Sequence, residues 1–482
     1  MPTNIPKKWL VLSVVTLVAF VTNLDATIVV VGLPRMVQSL HTTVTLGLWT
    51  LTSYIIASTV FLLPAGRWAD QFGTKKIFML GLGLFTVATF LCGVAPNGAL
   101  LLTFRVIQGT GAAFSLATAT PIIVRTFPSQ ELGRAIGINS ISWVMGSIVG
   151  PVAGGILVST LGWRSIFFVA IPLGLAGVIG AAVVLKDIPS TVDTRSDGLG
   201  ALSFGVGLTG LLVSLSLGQS WGWLSLTTLG LIALSVLLFV VFVRIESHHP
   251  APMFDLRLLS HHHYRAGLGV TLGYSIGFFA TTFLLTLYLQ GAIHLSPIQA
   301  GLMFVPLSAP QLVVGPWGGA LADRYGPARL IIGGVAILIV AAVWLSRLTG
   351  HFWAGSVIIP LALMSVANGL AWPALTKAVM SSAPKDRTGA ASGMFYTFRN
   401  VGMSLSFTLS LVAAETSLPP SIATQVFLGQ GILNSRLVGA LVHATDAGFA
   451  FFVIFYALAL VMAIPLLRPS HHPHSDAARS SG

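Results

Sequence analysis

Charge is what this chain has least of. Only 8% of its 482 residues are Asp, Glu, Lys or Arg, whereas a soluble domain carries about 25%. A water-facing surface cannot be built from so little charge, and that excludes an ordinary soluble protein. Cysteine is scarcer still. Cys92 stands alone in an apolar run, which excludes an internal disulfide and any multi-cysteine metal site and leaves a packing role. Hydrolytic and nucleotide-binding signatures are missing too: there is no H-E-x-x-H, no G-x-S-x-G and no phosphate-binding loop ending in G-K-[ST]. The chain is therefore expected to be no enzyme and to use no cofactor or metal, and any uphill work has to draw on an ion gradient. The histidines at 261–263 and at 471, 472 and 474 read as solvated loop and tail. The net charge of +12 would point a soluble protein to nucleic acid. Here the basic residues stand singly in short loops between apolar runs, a pattern that orients a chain against anionic lipid instead.

What is present is apolar. Hydrophobic residues make up 55% and mean hydropathy is +0.89. A bilayer core needs about 20 apolar residues per helix. Fourteen runs of that kind lie at roughly 9–31, 46–66, 76–95, 98–120, 135–159, 165–186, 199–217, 225–243, 266–290, 298–322, 328–348, 355–380, 389–413 and 447–467. None alternates as a barrel strand must, so each is expected to be a helix, the form that satisfies its own backbone in lipid. Lys7 and Lys8 precede a first run too long for the apolar part of a signal peptide, so that run is read as a membrane helix. With the N-terminus placed in the cytoplasm, nineteen Lys and Arg fall on the cytoplasmic side and four (Arg35, Arg164, Arg347 and Arg436) outside, while Arg105 and Arg399 lie within helices. That bias supports an even helix count, both termini in the cytoplasm and a place in the cell membrane.

The chain also repeats itself. GRWADQFG (66–73) follows the second run and GGALADRYG (318–326) the tenth. Asp70 and Asp323 are 253 apart, and Gly146 and Gly402 are 256 apart. The expected organisation is a six-helix bundle over 1–186, linkers with two extra helices over 187–265, and a second six-helix bundle over 266–469 with a long outer loop at 414–446. A disordered cytoplasmic tail is expected over 470–482. Two matched bundles around a central site suit a machine that rocks between inward-open and outward-open states.

These fragments carry a resemblance. LDATIVVVGLP (24–34), GRWADQFGTKK (66–76), RVIQGTGAA (105–113), GSIVGPVAGG (146–155) and WRSIFFVAIP (163–172) stand in the order and at the helix ends of the major facilitator superfamily. The chain resembles its fourteen-helix drug–proton antiporter branch over nearly its whole length. Departures from the pattern include Val30, Gln71, Thr74, Ala170, Pro327 and Ala328. The resemblance implies an all-α polytopic fold and proton-coupled export of lipophilic drugs by alternating access. Alternatives are a dedicated exporter of one metabolite or antibiotic, and an uncoupled channel or transporter-like sensor. The expected partners are a small-molecule substrate, protons and membrane lipid, with no nucleic acid and a monomeric state.

Several residues are candidates for the chemistry. Asp25 lies near the middle of the first run, where an ionised carboxylate is costly and where that cost makes proton exchange useful. Arg105, a buried cation in the fourth run, needs a partner that the sequence does not name; the resemblance implies that it influences proton transfer. Glu415, at the outer end of the thirteenth run, is a candidate second proton site. Since Asp25 and Glu415 are the only acids placed within or beside the core, a monocation or neutral compound is expected over a dication. Gly66, Asp70 and Gly73, with Asp323, Arg324 and Gly326, are read as a conformational latch, because a carboxylate at a helix end can bond the N-terminal amides of a neighbouring helix. Gly146, Gly150, Pro151, Gly154 and Gly155 predict a bent, closely packed helix, and the resemblance marks them as the antiporter motif. Trp49, Tyr54, Gln108, Trp143, Tyr274, Tyr288 and Arg399 are the candidates for the substrate cavity, the aromatic ones by stacking or π contact. Arg399 is also expected to pair structurally.

Overall fold

The computed structural model describes residues 7–42, 44–186, 197–248, 254, 256–295, 297–350, 352–384, 387–415 and 435–467. Each of the fourteen predicted runs is helical. In chain order they are α1 (Lys7–Ser39), α2 (Val44–Phe72), α3 (Thr74–Gly93), α4 (Gly98–Thr126), α5 (Ser129–Thr160) and α6 (Ser165–Val184) in the first bundle, followed by α7 (Gly198–Trp221) and α8 (Leu226–His248). The second bundle contains α9 (His262–Thr286), the broken α10 (Pro297–Met303, Val305–Ser308 and Gln311–Tyr325), α11 (Pro327–Leu345), α12 (Gly355–Ser381), α13 (Thr388–Glu415) and α14 (Ser435–Ala463). Among the described residues, twelve helices are long and apolar enough to cross a bilayer. Large apolar side chains such as Val183, Leu199 and Val313 stand mostly exposed on the outside. In so uncharged a chain, that surface is covered by lipid.

Four details differ from expectation, the first for an identifiable reason. The continuous helix predicted over 298–322 is broken at Phe304 and again at Ala309–Pro310. Pro306 and Pro310 stand at those breaks; proline donates no backbone bond and clashes with the carbonyl one turn earlier. α9 ends in a π-helical turn, Leu287–Ala292. α14 begins at Ser435 rather than 447, so the last part of the predicted outer loop is helix. His262 and His263 likewise belong to the first turn of α9 rather than to a loop. The linker at 187–196, most of the outer loop (416–434) and the tail lie outside the described residues.

Packing follows the repeat. α1 packs on α5, α2 on α4 and α3 on α4; α9 packs on α13, α10 on α12 and α11 on α12. α7 and α8 form a hairpin whose α7 touches α2 and α13. Two seams join the bundles, α2 with α13 and α5 with α10. Both are glycine contacts. A Cβ on Gly66 would strike the carbonyl of Gly389, and one on Gly133 would meet Gly319. Lipid tails are as apolar as leucine, so such close backbone approach, rather than a hydrophobic drive, holds membrane helices together. The loops α2–α3 and α10–α11 turn on Gly73 and Gly326, at φ +99° and +84°, a region nearly closed to other residues. These loops mark one end of the molecule, called here the signature-loop end.

Candidate functional site

The partner of Arg105 is Asp25. Its Nη1 donates to Asp25 Oδ2 at 2.6 Å, and both side chains are buried, at 1% and 0% exposure. Gln108, one helical turn beyond Arg105, closes the group. Its Nε2 donates to Asp25 Oδ1 (2.9 Å) and to Thr89 Oγ1 (2.7 Å), and its Oε1 accepts from Arg105 Nη1 (2.6 Å). Arg105 Nε donates to the carbonyl of Thr50 at 3.1 Å, and the guanidinium lies 4.3 Å over the Tyr54 ring. α1 supplies the acid, α4 the base and the amide, and α2 and α3 the outer contacts. Gly109 and Gly111 allow that approach, because a Cβ on either would strike the backbone of α2 or α3. Tyr54, expected in the cavity, is instead buried here, its hydroxyl donating to Thr22 O at 3.3 Å. Gln108 is likewise part of the ion-pair group. Glu415 ends α13, and its side chain lies outside the described residues.

At the signature-loop end, two carboxylates repeat one arrangement. Asp70 accepts from the amides of Gly389 (3.0 Å) and Ala390 (2.8 Å) in the first turn of α13, and Arg125 stands 3.4 Å away. Asp323 accepts from Gly133 (2.9 Å) and Arg134 (3.0 Å) of α5, with Lys377 Nζ at 2.5 Å. For Asp70 a carboxylate suits a helix N-terminus, where amides lack intrahelical partners and the dipole is positive; the amides that meet Asp323 belong to the fifth and sixth residues of α5. Arg324 takes no part in the pair; it is exposed and lies over Tyr325. Further bonds across the bundles join Thr120 to Tyr396 (3.0 Å) and Asn400 to Thr59 (3.2 Å). These contacts lie in the signature-loop half or at mid-depth, while Ser147 and Ser308 (3.3 Å) meet farther from that end, so most polar contacts between the bundles lie toward the signature-loop end.

The glycines of 146–155 divide. Gly146, Gly150 and Gly154 face α1, where a Cβ would meet Asn23, Thr27 and Ile28. Asn23 Nδ2 donates to Trp143 O (2.6 Å), and Thr27 Oγ1 to Gly146 O (2.9 Å). Gly155 faces open space, so it takes no part in that packing. α5 runs as helix through Pro151, whose side chain lies outside the described residues.

Of the remaining cavity candidates, Trp143 and Arg399 come together. The guanidinium lies 4.5 Å from the Trp143 ring, 5.1 Å from Phe279 and 5.6 Å from Trp372. Among the described residues no acid pairs with Arg399; π faces and Asn400 Oδ1 (3.1 Å) surround it. Tyr274 is buried beside this group and donates to Asn368 Oδ1 (2.5 Å), which belongs to a side chain that in turn donates to Gln311 (2.8 Å). Trp49 is half-buried against the large apolar cluster. Tyr288 is fully buried at the far end, its hydroxyl bonded to Thr349 O at 2.8 Å, and it lines no central space. Sequence reasoning missed Thr50, Thr89, Asn23, Phe279, Trp372, Asn368 and Gln311. The polar ones carried a signal, since a side chain with hydrogen-bonding groups inside an apolar run has to find a partner; the aromatic ones carried none.

Comparison with known proteins agrees with this architecture. The sequence profile described as Major Facilitator Superfamily matches residues 15–199 and 196–407. The chain is 30% identical over 401 residues to the tetracenomycin C resistance and export protein of Streptomyces glaucescens, spanning 83% of this chain and 74% of that protein. It is 31% identical to the multidrug resistance protein Stp of Mycobacterium tuberculosis over the same shares, 83% and 74%. The riboflavin transporter RibZ of Clostridioides difficile is 25% identical, over 83% of this chain and 86% of its own length. Among solved structures, the human organic anion transporter MFSD10 (TETRAN) aligns with a TM-score of 0.66 over 95% of this chain and 100% of that one. At 14% identity, this is a likeness of fold.

Proposed function

Because the chain belongs to the major facilitator superfamily, we propose that it exports small lipophilic molecules across the cell membrane in exchange for protons, rocking its two bundles about a central site. It works as a monomer with both termini and the signature-loop end in the cytoplasm. Relatives named for drug resistance and antibiotic export support the direction. One observation carries the coupling: a carboxylate and a guanidinium are wholly buried in the first bundle, where an ionisable group is costly and kept for a task.

The geometry gives that task a form. When Asp25 takes up a proton it loses its attraction for Arg105. The guanidinium keeps the Thr50 carbonyl, Gln108 Oε1 and the Tyr54 face, so it is not left bare. α1, freed of its ion pair to α4, can then shift against α2 and α4. In this reading Asp70 and Asp323 hold the cytoplasmic end shut, and both must release their amides before that end opens. The available work is adequate. One proton contributes about 2.3 kcal/mol per 100 mV and about 1.4 kcal/mol per pH unit, enough for a gradient of a few hundred-fold in a neutral solute. The expectation of a neutral or monocationic substrate rested on counting acids, and Arg399 bears on it below.

Purified protein in sealed proteoliposomes tests the reading. Uptake of a neutral fluorescent dye should follow an imposed pH gradient and release protons, and Asp25→Asn should lose that dependence. Gradient-independent flux in the wild type, or an Asp25→Asn protein that still couples, sinks it.

A further inference from the structure

Arg399 lies eleven residues into α13, Trp143 fourteen into α5, and Trp372 nine from the end of α12. At 1.5 Å per residue that is roughly 14–21 Å from the signature-loop end, near the middle of a bilayer. The three elements belong to both bundles, so the group sits on the seam. Arg399, Trp143, Phe279 and Trp372 are all half-buried. Each therefore keeps some accessible surface, although Trp372 also packs against the core.

A ring of aromatic faces is the usual receptor for a cationic ligand. Here the faces are already occupied by the protein's own guanidinium, at 4.5, 5.1 and 5.6 Å. The acid that might have served a cation, Asp25, is engaged by Arg105 and Gln108 and fully buried. Among the described residues no carboxylate is in ion-pair contact with Arg399. The group thus presents one positive charge and π surfaces, with half-buried Asn368 beside them, held by buried Tyr274 and Gln311. A planar guanidinium matches a carboxylate in a two-pronged pair, and the part of each half-buried indole that the guanidinium leaves uncovered can lie against a flat ring.

We infer that Arg399 selects for charge in the central space and that the molecules favoured there are flat aromatic acids, the anion on the guanidinium and the ring against Trp143 and Trp372. This rests on the export reading above and deepens it; it replaces the expectation of a monocation. It also changes the charge count. A monocation leaving for one entering proton moves no net charge, whereas a monoanion leaving for one proton moves two charges inward, so the membrane potential drives both.

Matched probes test this in detergent, independently of any transport: 1-pyrenebutyrate, 1-pyrenebutanol and a pyrene-methyl trimethylammonium, with affinity read from quenching of protein tryptophan by pyrene. Wild-type protein should bind the acid roughly tenfold or more tighter than the alcohol, as a charge-assisted bond allows, and the ammonium least. Arg399→Gln should erase the preference of acid over alcohol while leaving the alcohol within about threefold, and Arg399→Lys should restore part of it. An acid that binds no tighter than the alcohol to the wild type overturns the inference, as does an unchanged acid preference in Arg399→Gln. The wild-type ranking needs no variant to fold. Failure of export with an intact acid preference would count against the export reading alone.

Discussion

In the first bundle Asn23 fills the space over Gly146, where a Cβ would meet its amide at 2.6 Å; in the second, Ser275 covers Gly402 at 2.8 Å. Those helices repeat at offsets of 252 and 256 residues. Arg125 beside Asp70 and Lys377 beside Asp323 repeat in the same way, 252 apart. Carried 252 residues on, Asp25, Arg105 and Gln108 become Gly277, Val357 and Pro360. The second bundle has no copy of the ion pair; the Tyr456 ring lies 2.6 Å from where a Cβ on Gly277 would be. Packing contacts and end contacts are duplicated, because two bundles that rock on one another need matching surfaces. Among the described residues the fully buried charge pair appears once. At the centre, Trp143 and Arg399 are themselves 256 apart and meet across the approximate twofold, so a place where equivalent positions of the two halves meet holds unlike residues.

The largest break in that comparison should come from the unpaired copy. Arg105→Ala leaves the Asp25 carboxylate buried with only Gln108 beside it. Removing one member of a buried pair costs about 3–5 kcal/mol. Asp25→Asn should cost less, since Arg105 keeps Thr50 O, Gln108 Oε1 and the Tyr54 face. Thermal unfolding in detergent would order them Arg105→Ala, then Asp25→Asn, then wild type, with Asp25→Asn/Arg105→Gln recovering much of the loss. Equal losses in both single variants, additive in the double, would mean that the two side chains act separately.

The helices were legible because their evidence is local: apolar length, basic loops and the repeat are all read along the chain. Asp25 and Arg105 each stood out as a charge in an apolar run, yet their pairing was not legible. It depends on how α1 and α4 are rotated about their axes, and they are 80 residues apart. The setting of Arg399 is assembled from α5, α9 and α12, and ordinary aromatic residues in apolar runs carry no mark of what they face. Gly155 failed as a packing residue because it stands about 100° round the helix from Gly154, a turn that a motif read as a string does not resolve. The break in α10 was visible as Pro306 and Pro310 and should have been read from them.

A middle-sized effect should separate the two end contacts. When Asp70 is neutralised, Arg125 keeps Thr74 Oγ1 at 2.9 Å. Lys377 has Asp323 as its described contact. Asp323→Asn should therefore weaken closure of the signature-loop end more than Asp70→Asn, each by about 1.5–3 kcal/mol, the worth of a hydrogen bond to a charged group. Ser392 is fully buried near the α2–α13 seam and Cys92 is buried as well, so Ser392→Cys gives a clean reporter. Labelling by an impermeant maleimide should rise from wild type to Asp70→Asn to Asp323→Asn. The reverse order would show that Asp70 bears more of the closure.

The smallest effect tests whether the repeat extends to the backbone. Gly73 and Gly326 hold φ of +99° and +84° with ψ of 131° and 146°, a conformation that other residues adopt only under strain. Nothing lies within 4 Å of where a Cβ on Gly326 would be placed. Gly326→Ala therefore introduces no clash, and its cost is backbone strain alone, on the order of 1 kcal/mol. Gly73→Ala should cost the same, because its dihedrals match. A paired measurement of unfolding midpoints asks one question: do the two loops carry equal strain? A Gly326→Ala protein as stable as the wild type would mean that the α10–α11 loop can relax to an ordinary turn, and the likeness of the two bundles would then stop at their helices.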